Sequence, residues 1–245
     1  MLDIHCHILP GFDDGAADVS ESVQMARMAV ESGVTGIVVT PHFRGEPDSL
    51  RALNRLVNRY ERLIQEVSRE NIPLRLFPGA EILCLPETPD MASRRELPTL
   101  GNTDYLLVEF FFNESVTYMN NMLRDLSRYG HHPVIAHPER YEGVQEDPAV
   151  MEYWFGQGYV LQLNKGSILG SFGPEPQDAA MAALDMRLAG LIASDAHSPN
   201  RRTTDLSHLR RWLLERYPRD YVHLLLEENP GRLLRDQDMV PTESY

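Results

Sequence analysis

The sequence predicts a single α/β domain built on a mostly parallel β-sheet, and two patterns support this prediction. Short apolar segments rich in β-branched residues alternate about seven times with longer amphipathic segments. Residues of the types His, Asp and Glu follow the ends of most of the short segments. A chain of 245 residues, 42% of them hydrophobic and 24% charged, can bury the core of one such domain. The periodicity leaves a closed barrel and an open doubly wound sheet as alternatives.

The short and long segments predict seven strands and seven helices in alternation. The strands are expected at 2–6, 34–40, 74–82, 104–110, 133–137, 159–163 and 190–194. The helices are expected at about 19–33, 47–70, 115–130, 146–157, 174–188, 203–216 and 219–235, the last with a break at Asn229-Pro230. Asp18, with Glu21 three residues later, predicts a capped helix start, and Gly33 suits the position after a helix. Residues 235–245 are expected to be a frayed tail of the single domain 1–245.

The composition argues against several classes of partner. The net charge is −13 and the pI is near 5.1, whereas non-specific binding to nucleic acid or to anionic membranes requires basic patches. No apolar run approaches the ~18 residues that span a bilayer, and the first residues lack the pattern of a signal peptide. We therefore expect a cytoplasmic protein with no membrane insertion and no nucleic-acid partner.

Imidazoles and carboxylates gather at the ends of the predicted strands. His5 and His7 are two residues apart at the end of the first strand, and this spacing places both side chains on one face of a strand. Asp195 and His197 repeat the spacing at the end of the last strand. Six of the seven predicted strands deliver such a residue near the carboxyl end. The full set is His5, His7, Asp14, His42, Glu81, Glu109, His137, Asp195 and His197.

This distribution indicates a multinuclear metal site. The carboxyl ends of parallel strands meet at one edge of the sheet, where α/β folds build their active sites. Glu81 and Glu109 lie in apolar strands, where a carboxylate without a cation would be costly. Each residue also has a simpler interpretation, since a single strand-end His can be a hydrogen-bonding residue and Asp195 can pair with His197. The convergence of imidazoles and carboxylates favours the metal site.

Thiol chemistry does not fit the two cysteines. They could form one disulfide, but their number does not indicate a disulfide framework. A cysteine-based phosphatase needs an arginine six positions after its nucleophile, and those positions are Phe12 for Cys6 and Asp90 for Cys84. Cys6 lies between His5 and His7, so we expect its side chain to point to the opposite strand face as a core residue.

Several longer motifs resemble a known family. The opening through Thr40-Pro41-His42 resembles the polymerase and histidinol phosphatase (PHP) superfamily. The more specific segments resemble its bacterial capsular and exopolysaccharide tyrosine-protein phosphatases over residues 1 to about 234. Those segments are residues 5–15, Pro78-Gly-Ala-Glu81, Ala136-His137-Pro138-Glu139-Arg140-Tyr141, Leu169-Gly-Ser-Phe-Gly173 and Ser194-Asp195-Ala-His197.

The resemblance implies a distorted (β/α)7 TIM-like barrel with three metal ions. The first ion would be bound by His5, His7, Glu81 and Asp195. The second would be bound by Glu81 as a bridge, Glu109 and His137. The third would be bound by Asp14, His42 and His197. The phosphate-binding arginines of the family correspond to Arg140 and Arg202, with Arg201 as the alternative to Arg202. The loop Phe43-Arg44-Gly45-Glu46 lacks the additional basic or His residues of related proteins.

The implied activity is hydrolysis of phosphotyrosine, on the flexible tail of a bacterial tyrosine kinase that controls capsule or exopolysaccharide synthesis. The resemblance favours Mn²⁺, and a ligand set without thiolates also suits Fe²⁺ or Zn²⁺. Alternatives are a PHP phosphoesterase acting on a small phosphomonoester such as histidinol phosphate, a PHP-type exonuclease, and a non-catalytic kinase-binding scaffold. The acidic charge argues against the exonuclease, and the complete ligand set argues against the scaffold.

Overall fold

All seven predicted strand regions contain a β-strand. The computed structural model of the protein describes residues 1–45, 49–242 and 245. The strands are β1 Leu2–Cys6, β2 Gly36–Val39, β3 His42–Phe43, β4 Arg75–Pro78, β5 Glu81–Leu83, β6 Tyr105–Glu109, β7 His132–Ala136, β8 Val160–Asn164 and β9 Ala189–Ala193. Two predicted regions differ from the structure, because 34–40 is followed by the extra strand β3 and 74–82 is two strands rather than one.

The strands form two parallel sheets, in which neighbouring strands follow one another along the chain nearly as they do in a barrel. One sheet has the order β1-β2-β4 and the other has the order β3-β5-β6-β7-β8-β9. β3 follows β2 after Thr40 and Pro41, and β5 follows β4 after Gly79 and Ala80, so the chain passes twice from the first sheet to the second at these points. Next to β9, Cys6 and Ala196 form a parallel bridge, and the N–H of Asp195 donates to the carbonyl of His5 at 2.9 Å. The architecture is therefore an α/β fold of the predicted kind, with its sheet divided at β4 and β5.

The division of the third predicted strand has a steric cause. Before Gly79 the chain pairs with β2, and from Glu81 onward it pairs with β3 and β6. A Cβ on Gly79 would approach the Cγ1 atom of Val38 to 2.7 Å. Glycine at this position therefore permits the close approach at which the strand changes partners.

Most of the described helices lie between strands along the chain, and the last three follow β9. They are α1 Val19–Glu31, α2 Ser49–Arg69, α3 Thr88–Ser93, α4 Val116–Arg128, α5 Glu142–Glu146, α6 Ala149–Gly156, α7 Lys165–Ile168, α8 Pro174–Asp185, α9 Ser207–Leu214, α10 Arg219–His223 and α11 Asn229–Leu233. A π-helical segment, Leu224–Glu228, joins the last two helices and ends directly before the predicted break at Asn229-Pro230, where α11 begins. The predicted helix at 146–157 corresponds to α6, and α5 ends at the first residue of that predicted range. The predicted helix start at 47 and 48 lies outside the described residues.

The apolar core supports the carboxyl ends of the strands. A large cluster, which includes Trp154 and Met25, packs between the strands and the surrounding helices, and Cys6 belongs to it as expected. A smaller cluster includes Leu107, Ala136 and Ala193, which lie one or two residues before the ligands Glu109, His137 and Asp195. The polar site therefore lies next to a closely packed apolar core, which holds the strand ends rigid.

The segment that was expected to fray is fixed at two points. The Val240 N–H donates to the Asn229 side-chain oxygen at 2.8 Å, and the Thr242 hydroxyl donates to the Arg187 carbonyl. Asn229 also donates to the carbonyl of Gly190 at 3.0 Å, which connects the segment to β9. Residues 240 and 242 therefore make defined contacts within the segment 235–245. None of the helices within the described ranges has the length and apolar character needed to span a bilayer.

Candidate metal centre

The structure brings all nine predicted ligands together at the carboxyl end of the sheet. His5 and His7 lie at the end of β1, and the Nε2 atoms of their rings are 3.2 Å apart. The Nε2 atom of His5 lies 3.2 Å from Glu81 Oε1 and 3.4 Å from Asp195 Oδ1. The Nε2 atom of His7 lies 3.2 Å from Glu81 Oε2 and 3.5 Å from Asp195 Oδ1. Each of the two histidines thus contacts the other and both of the carboxylates that were predicted for the first ion.

Glu81 contacts more imidazoles than any other carboxylate in the described part of the site. Besides both histidines of β1, it contacts His137 Nε2 at 2.8 Å through Oε1 and His42 Nδ1 at 3.1 Å through Oε2. The side chain of Glu81 is only 1% exposed. A carboxylate that reaches four imidazoles can bridge two cations, which is the role that the resemblance implies for Glu81.

The remaining ligands lie on the solvent side of the cluster. Asp14 Oδ1 is 3.4 Å from His42 Nε2 and 3.5 Å from His197 Nε2. His42 Nδ1 is 2.8 Å from Glu109 Oε1, and the ring of His197 stacks on that of His7 at 3.9 Å between centroids. Asp14 is the most exposed of the ligands, with 67% of its side chain accessible. It can therefore move toward or away from an ion at low cost.

The observed groups overlap with the predicted allocation but do not reproduce it fully. Four groups offer ligand atoms within 4.8 Å of one another. They are His7, Asp14, His42 and His197; His5, His7 and Glu81; His5, His137 and Asp195; and His42, Glu81 and Glu109. The first group contains the set predicted for the third ion. Glu109 groups with His42, whereas His137 groups with His5 and Asp195.

The orientation of Asp195 fits a bound cation. Its buried Oδ1 atom accepts no hydrogen bond from the residues that the structure describes. The same atom lies 3.4 to 3.5 Å from ring nitrogens of His5, His7 and His197. A buried carboxylate oxygen without a donor is costly, and a divalent cation shared with these imidazoles would satisfy it. Nitrogen and oxygen donors without thiolates match Mn²⁺, Fe²⁺ or Zn²⁺.

The carboxylates give the site a strongly negative potential. Burial alone would lower the pKa of His42, but the adjacent carboxylates of Glu109 and Glu81 outweigh it and raise that pKa to about 11. Burial is likewise outweighed at His7, where Asp13 and Glu81 raise the pKa to about 9. The pKa of His197 is instead lowered to about 4, by burial and by the neighbouring charge of His7. The site therefore attracts positive charge at its centre.

Three supporting residues were given no role by the sequence analysis. The Nδ1 atom of His5 bonds the side-chain oxygen of Gln162 at 2.7 Å, and the side-chain amide of Asn164 donates to Asp195 Oδ2. Asp13 Oδ2 lies 2.8 Å from His7 Nδ1. These contacts fix ring orientation and tautomer, as partners of metal-binding imidazoles commonly do. The available signal was that Gln162 and Asn164 are polar residues in an otherwise apolar strand.

Asp13→Asn is expected to weaken metal binding by about 10–100-fold without unfolding the protein. The change removes the negative charge beside His7 and also weakens the acceptor for the backbone N–H of His42, which Asp13 accepts at 2.9 Å. Titration of the metal-free protein with Mn²⁺ measures the effect. Asp18→Asn is the matched control, because Asn also caps a helix and should leave the affinity unchanged. Equal affinities of the two variants would contradict the role of Asp13.

Three site residues adopt a left-handed backbone conformation. The φ angles are 35° at His137, 49° at Asp195 and 51° at Arg202. This region is unfavourable for residues other than glycine, and such strain is retained where the surroundings fix it. At His197 the N–H donates to the carbonyl of Arg202 at 2.8 Å, which closes the loop between the last ligand and the arginine. Three of the eight non-glycine residues with positive φ in the described chain are thus residues that were predicted to be functional.

Both predicted phosphate-binding arginines line the hollow above the cluster. The hollow has a volume of about 280 Å³ and is also lined by Glu81, Glu109 and Asp195. Arg202 donates to Asp195 Oδ2, and an Nη atom of Arg140 lies 3.7 Å from the same oxygen. Arg201 is exposed and is not among the lining residues. The geometry favours Arg202 over Arg201.

A second hollow of about 470 Å³ adjoins the first. Asp14, His42 and Arg44 line both of them. Arg55 and Arg59 of α2 line the second one. The basic residues that the loop after His42 lacks are thus partly supplied by a helix.

Comparison with known proteins gives matches over nearly the whole chain. The family described as capsular polysaccharide synthesis, CpsB/CapC, matches residues 1–235. The chain is 36% identical to the tyrosine-protein phosphatase YwqE of Bacillus subtilis (strain 168), over 97% of this chain and 92% of YwqE. It is 32% identical to the putative tyrosine-protein phosphatase CapC of Staphylococcus aureus, over 85% of this chain and 82% of CapC.

The fold also matches solved structures. A crystal structure from the pair YwqE of Bacillus subtilis and CpsB of Streptococcus pneumoniae, described as unique metal-dependent tyrosine phosphatases, superposes with a TM-score of 0.90. The two chains are 33% identical, and the match covers 99% of this chain and 98% of the other. The phosphotriesterase of Mycobacterium tuberculosis superposes with a TM-score of 0.61 at 12% identity, over 98% and 95% of the two chains, which shows likeness of fold alone.

Proposed function

Because the chain belongs to the capsular polysaccharide synthesis family CpsB/CapC, we propose that it is a metal-dependent protein-tyrosine phosphatase. The family assignment made from the sequence motifs is confirmed. One observation carries the proposal for this chain. Imidazoles, carboxylates and two arginines converge on a single hollow, and that combination suits a phosphate monoester held between cations and guanidinium groups.

The proposed metal allocation follows the predicted sets. His5, His7, Glu81 and Asp195 would hold one ion, Glu81 would share a second with Glu109 and His137, and Asp14, His42 and His197 would hold a third. We propose Mn²⁺ as the resident ion, with Fe²⁺ and Zn²⁺ as alternatives. When bound, the cations would lower the pKa of a water molecule and neutralise phosphate charge.

The arginines would bind and orient the phosphate. A guanidinium group presents several N–H donors in a fixed plane and matches the oxygens of a phosphate better than an ammonium group does. Arg202 is oriented by Asp195, and Arg140 lies beside it at the rim of the hollow. With the phosphate held at that rim, its ester oxygen and aryl group would face solvent. A tyrosyl leaving group has a pKa near 10, so we assign no general acid.

The physiological substrate that we propose is the phosphotyrosine tail of a bacterial tyrosine kinase in capsule or exopolysaccharide synthesis. The site lies in an open hollow at one end of the sheet, where an extended peptide can reach it. We further propose that residues 1–245 form one catalytic domain and that it acts in the cytoplasm, together with that tail.

The proposal predicts that removal of metal abolishes turnover reversibly. After treatment with a chelator, hydrolysis of a phosphotyrosine peptide should fall by about 10²-fold or more, because the cations supply several kcal/mol of charge stabilisation. Added Mn²⁺ should restore hydrolysis, and the melting temperature should rise with Mn²⁺ concentration, since an ion that binds only the folded state stabilises it. Elemental analysis of the purified protein identifies the native ion.

The choice of substrate separates this proposal from its rivals. The same peptide with phosphoserine, and histidinol phosphate, should be hydrolysed much more slowly than the phosphotyrosine peptide. If histidinol phosphate is the better substrate, the small-phosphomonoester alternative replaces the tyrosine phosphatase. Failure to bind metal or to hydrolyse any of the three would leave the kinase-binding scaffold.

A further inference from the structure

The motif Leu169-Gly-Ser-Phe-Gly173 has no part in the metal ligand set, yet its aromatic ring reaches the site. The guanidinium carbon of Arg140 lies 4.5 Å from the centroid of the Phe172 ring. A second ring, that of Phe112, lies 4.4 Å from the same carbon atom. Two aromatic faces thus contact one guanidinium group at the rim of the hollow, at a distance typical of cation–π contacts.

Arg140 has few other contacts that could hold it. Its Nη atom is 3.7 Å from Asp195 Oδ2, which is too long for a hydrogen bond. Within the part of the chain that the structure describes, the structure gives its guanidinium no hydrogen bond. Arg202 differs, because it donates directly to Asp195. An arginine side chain has large rotamer freedom, so the aromatic rings are the contacts that fix Arg140.

The Phe172 ring is placed by a glycine and by a loop connected to the metal site. A Cβ on Gly166 would lie 2.5 Å from the ring, so only glycine leaves the ring its position. The Ser171 N–H donates to the Gly166 carbonyl at 2.8 Å, which closes the loop. The Gly166 N–H donates to the Asn164 side chain at 2.8 Å, and Asn164 donates in turn to Asp195.

The Phe112 ring approaches from the segment after β6. Its backbone carbonyl accepts a hydrogen bond from the Glu142 N–H at 2.8 Å, which fixes the segment three residues beyond Glu109. The ring lies 6.0 Å from that of His137, centroid to centroid, and remains 42% exposed. A substitution at this exposed position can therefore test the contact without disturbing the core.

We propose that Phe112 and Phe172 form an aromatic clamp that positions Arg140 for the substrate phosphate. The proposal rests on the phosphatase function proposed above. A ring face attracts the cation without accepting hydrogen bonds in the plane of the guanidinium. A carboxylate partner would instead occupy the N–H donors that the phosphate requires. The clamp thus orders Arg140 and leaves its donors free, and both phenylalanines are positioning residues.

A double-mutant cycle tests the clamp. The variants are Phe112→Leu, Arg140→Ala and the two combined, with the affinity of the Mn²⁺-loaded protein for inorganic phosphate measured by calorimetry. Turnover of a phosphotyrosine peptide is measured in parallel. Phe112→Leu should weaken phosphate binding and lower kcat/KM by about tenfold, as expected when a positioned group loses its orientation. In the Arg140→Ala background the same change should alter both quantities by less than about twofold.

Two controls keep the result specific. Phe112→Tyr retains the ring face and should bind phosphate as the unmodified protein does. Tyr153→Leu removes an aromatic ring of α6 that is 51% exposed and does not line the hollow, and it should have no effect. Melting temperatures verify that each variant folds.

The outcomes separate the clamp from the proposed function. Equal losses for Phe112→Leu in both backgrounds would overturn the clamp, because the ring would then act independently of Arg140. Another outcome is that the effects of Phe112→Leu and Arg140→Ala on phosphate affinity are coupled while the protein does not hydrolyse the phosphotyrosine peptide. That result would support the clamp and refute the proposed substrate.

Discussion

Glu81→Gln is expected to remove bound metal and to lower kcat by about 10³-fold or more, the largest effect among single substitutions at this site. The substitution preserves shape but removes the charge of the one carboxylate that contacts His5, His7, His42 and His137. Because Glu81 is the proposed bridge, its loss weakens two ion sites together. Loss of several kcal/mol of charge stabilisation corresponds to a decrease of that size. Elemental analysis and peptide kinetics measure both consequences.

The control for this substitution is Glu87→Gln. Glu87 is an exposed carboxylate before α3 in the same part of the chain, and it contacts none of the ligands in the described structure. Its substitution should leave metal content and kcat within about twofold of the unmodified protein, as is usual for surface changes. A Glu81→Gln protein that keeps its metal and its activity would show that the convergence of ligands serves another purpose.

Arg140→Ala is expected to leave the metal content unchanged while it lowers kcat/KM by about 10²–10³-fold. Arg140 is no ligand in the proposed allocation, so the ions should remain. Charge-assisted hydrogen bonds contribute about 1.5–3 kcal/mol each, and the loss of a two-bonded phosphate contact gives the expected decrease. Arg140→Lys should be intermediate, since it keeps the charge but loses the planar arrangement of donors. Metal content and peptide kinetics are measured on the same preparations.

Arg201→Ala provides the comparison for both arginines. Arg201 is adjacent to Arg202 in the chain but is exposed and does not line the hollow. Its substitution should change kcat/KM by less than about twofold. If Arg140→Ala loses its metal ions as well as its activity, the residue supports the position of Asp195 rather than binding phosphate. An effect of Arg201→Ala equal to that of Arg140→Ala would reassign the phosphate contact.

The sequence predicted the membership of the site because of a property of parallel sheets. In such a sheet every strand ends at the same edge, so a polar residue at a strand end is near its counterparts whatever the loops do. His5 with His7 and Asp195 with His197 could be placed together from spacing alone. The structure brings all nine of the predicted residues into one cluster. The strand regions were predictable for a similar reason, since their apolar runs reflect burial on both faces.

The tertiary structure alone decided how the ligands pair and what holds them. His5 and Gln162 are separated by 157 residues, and the pairing of Glu109 with His42 rather than with His137 depends on rotamers in the folded site. The division of residues 74–82 into two strands depends on the approach of Val38 to Gly79. The aromatic contacts of Arg140 require two loops to meet at one point. Periodicity records local burial, whereas these features arise from the packing of distant segments, which a single sequence does not encode in any local pattern.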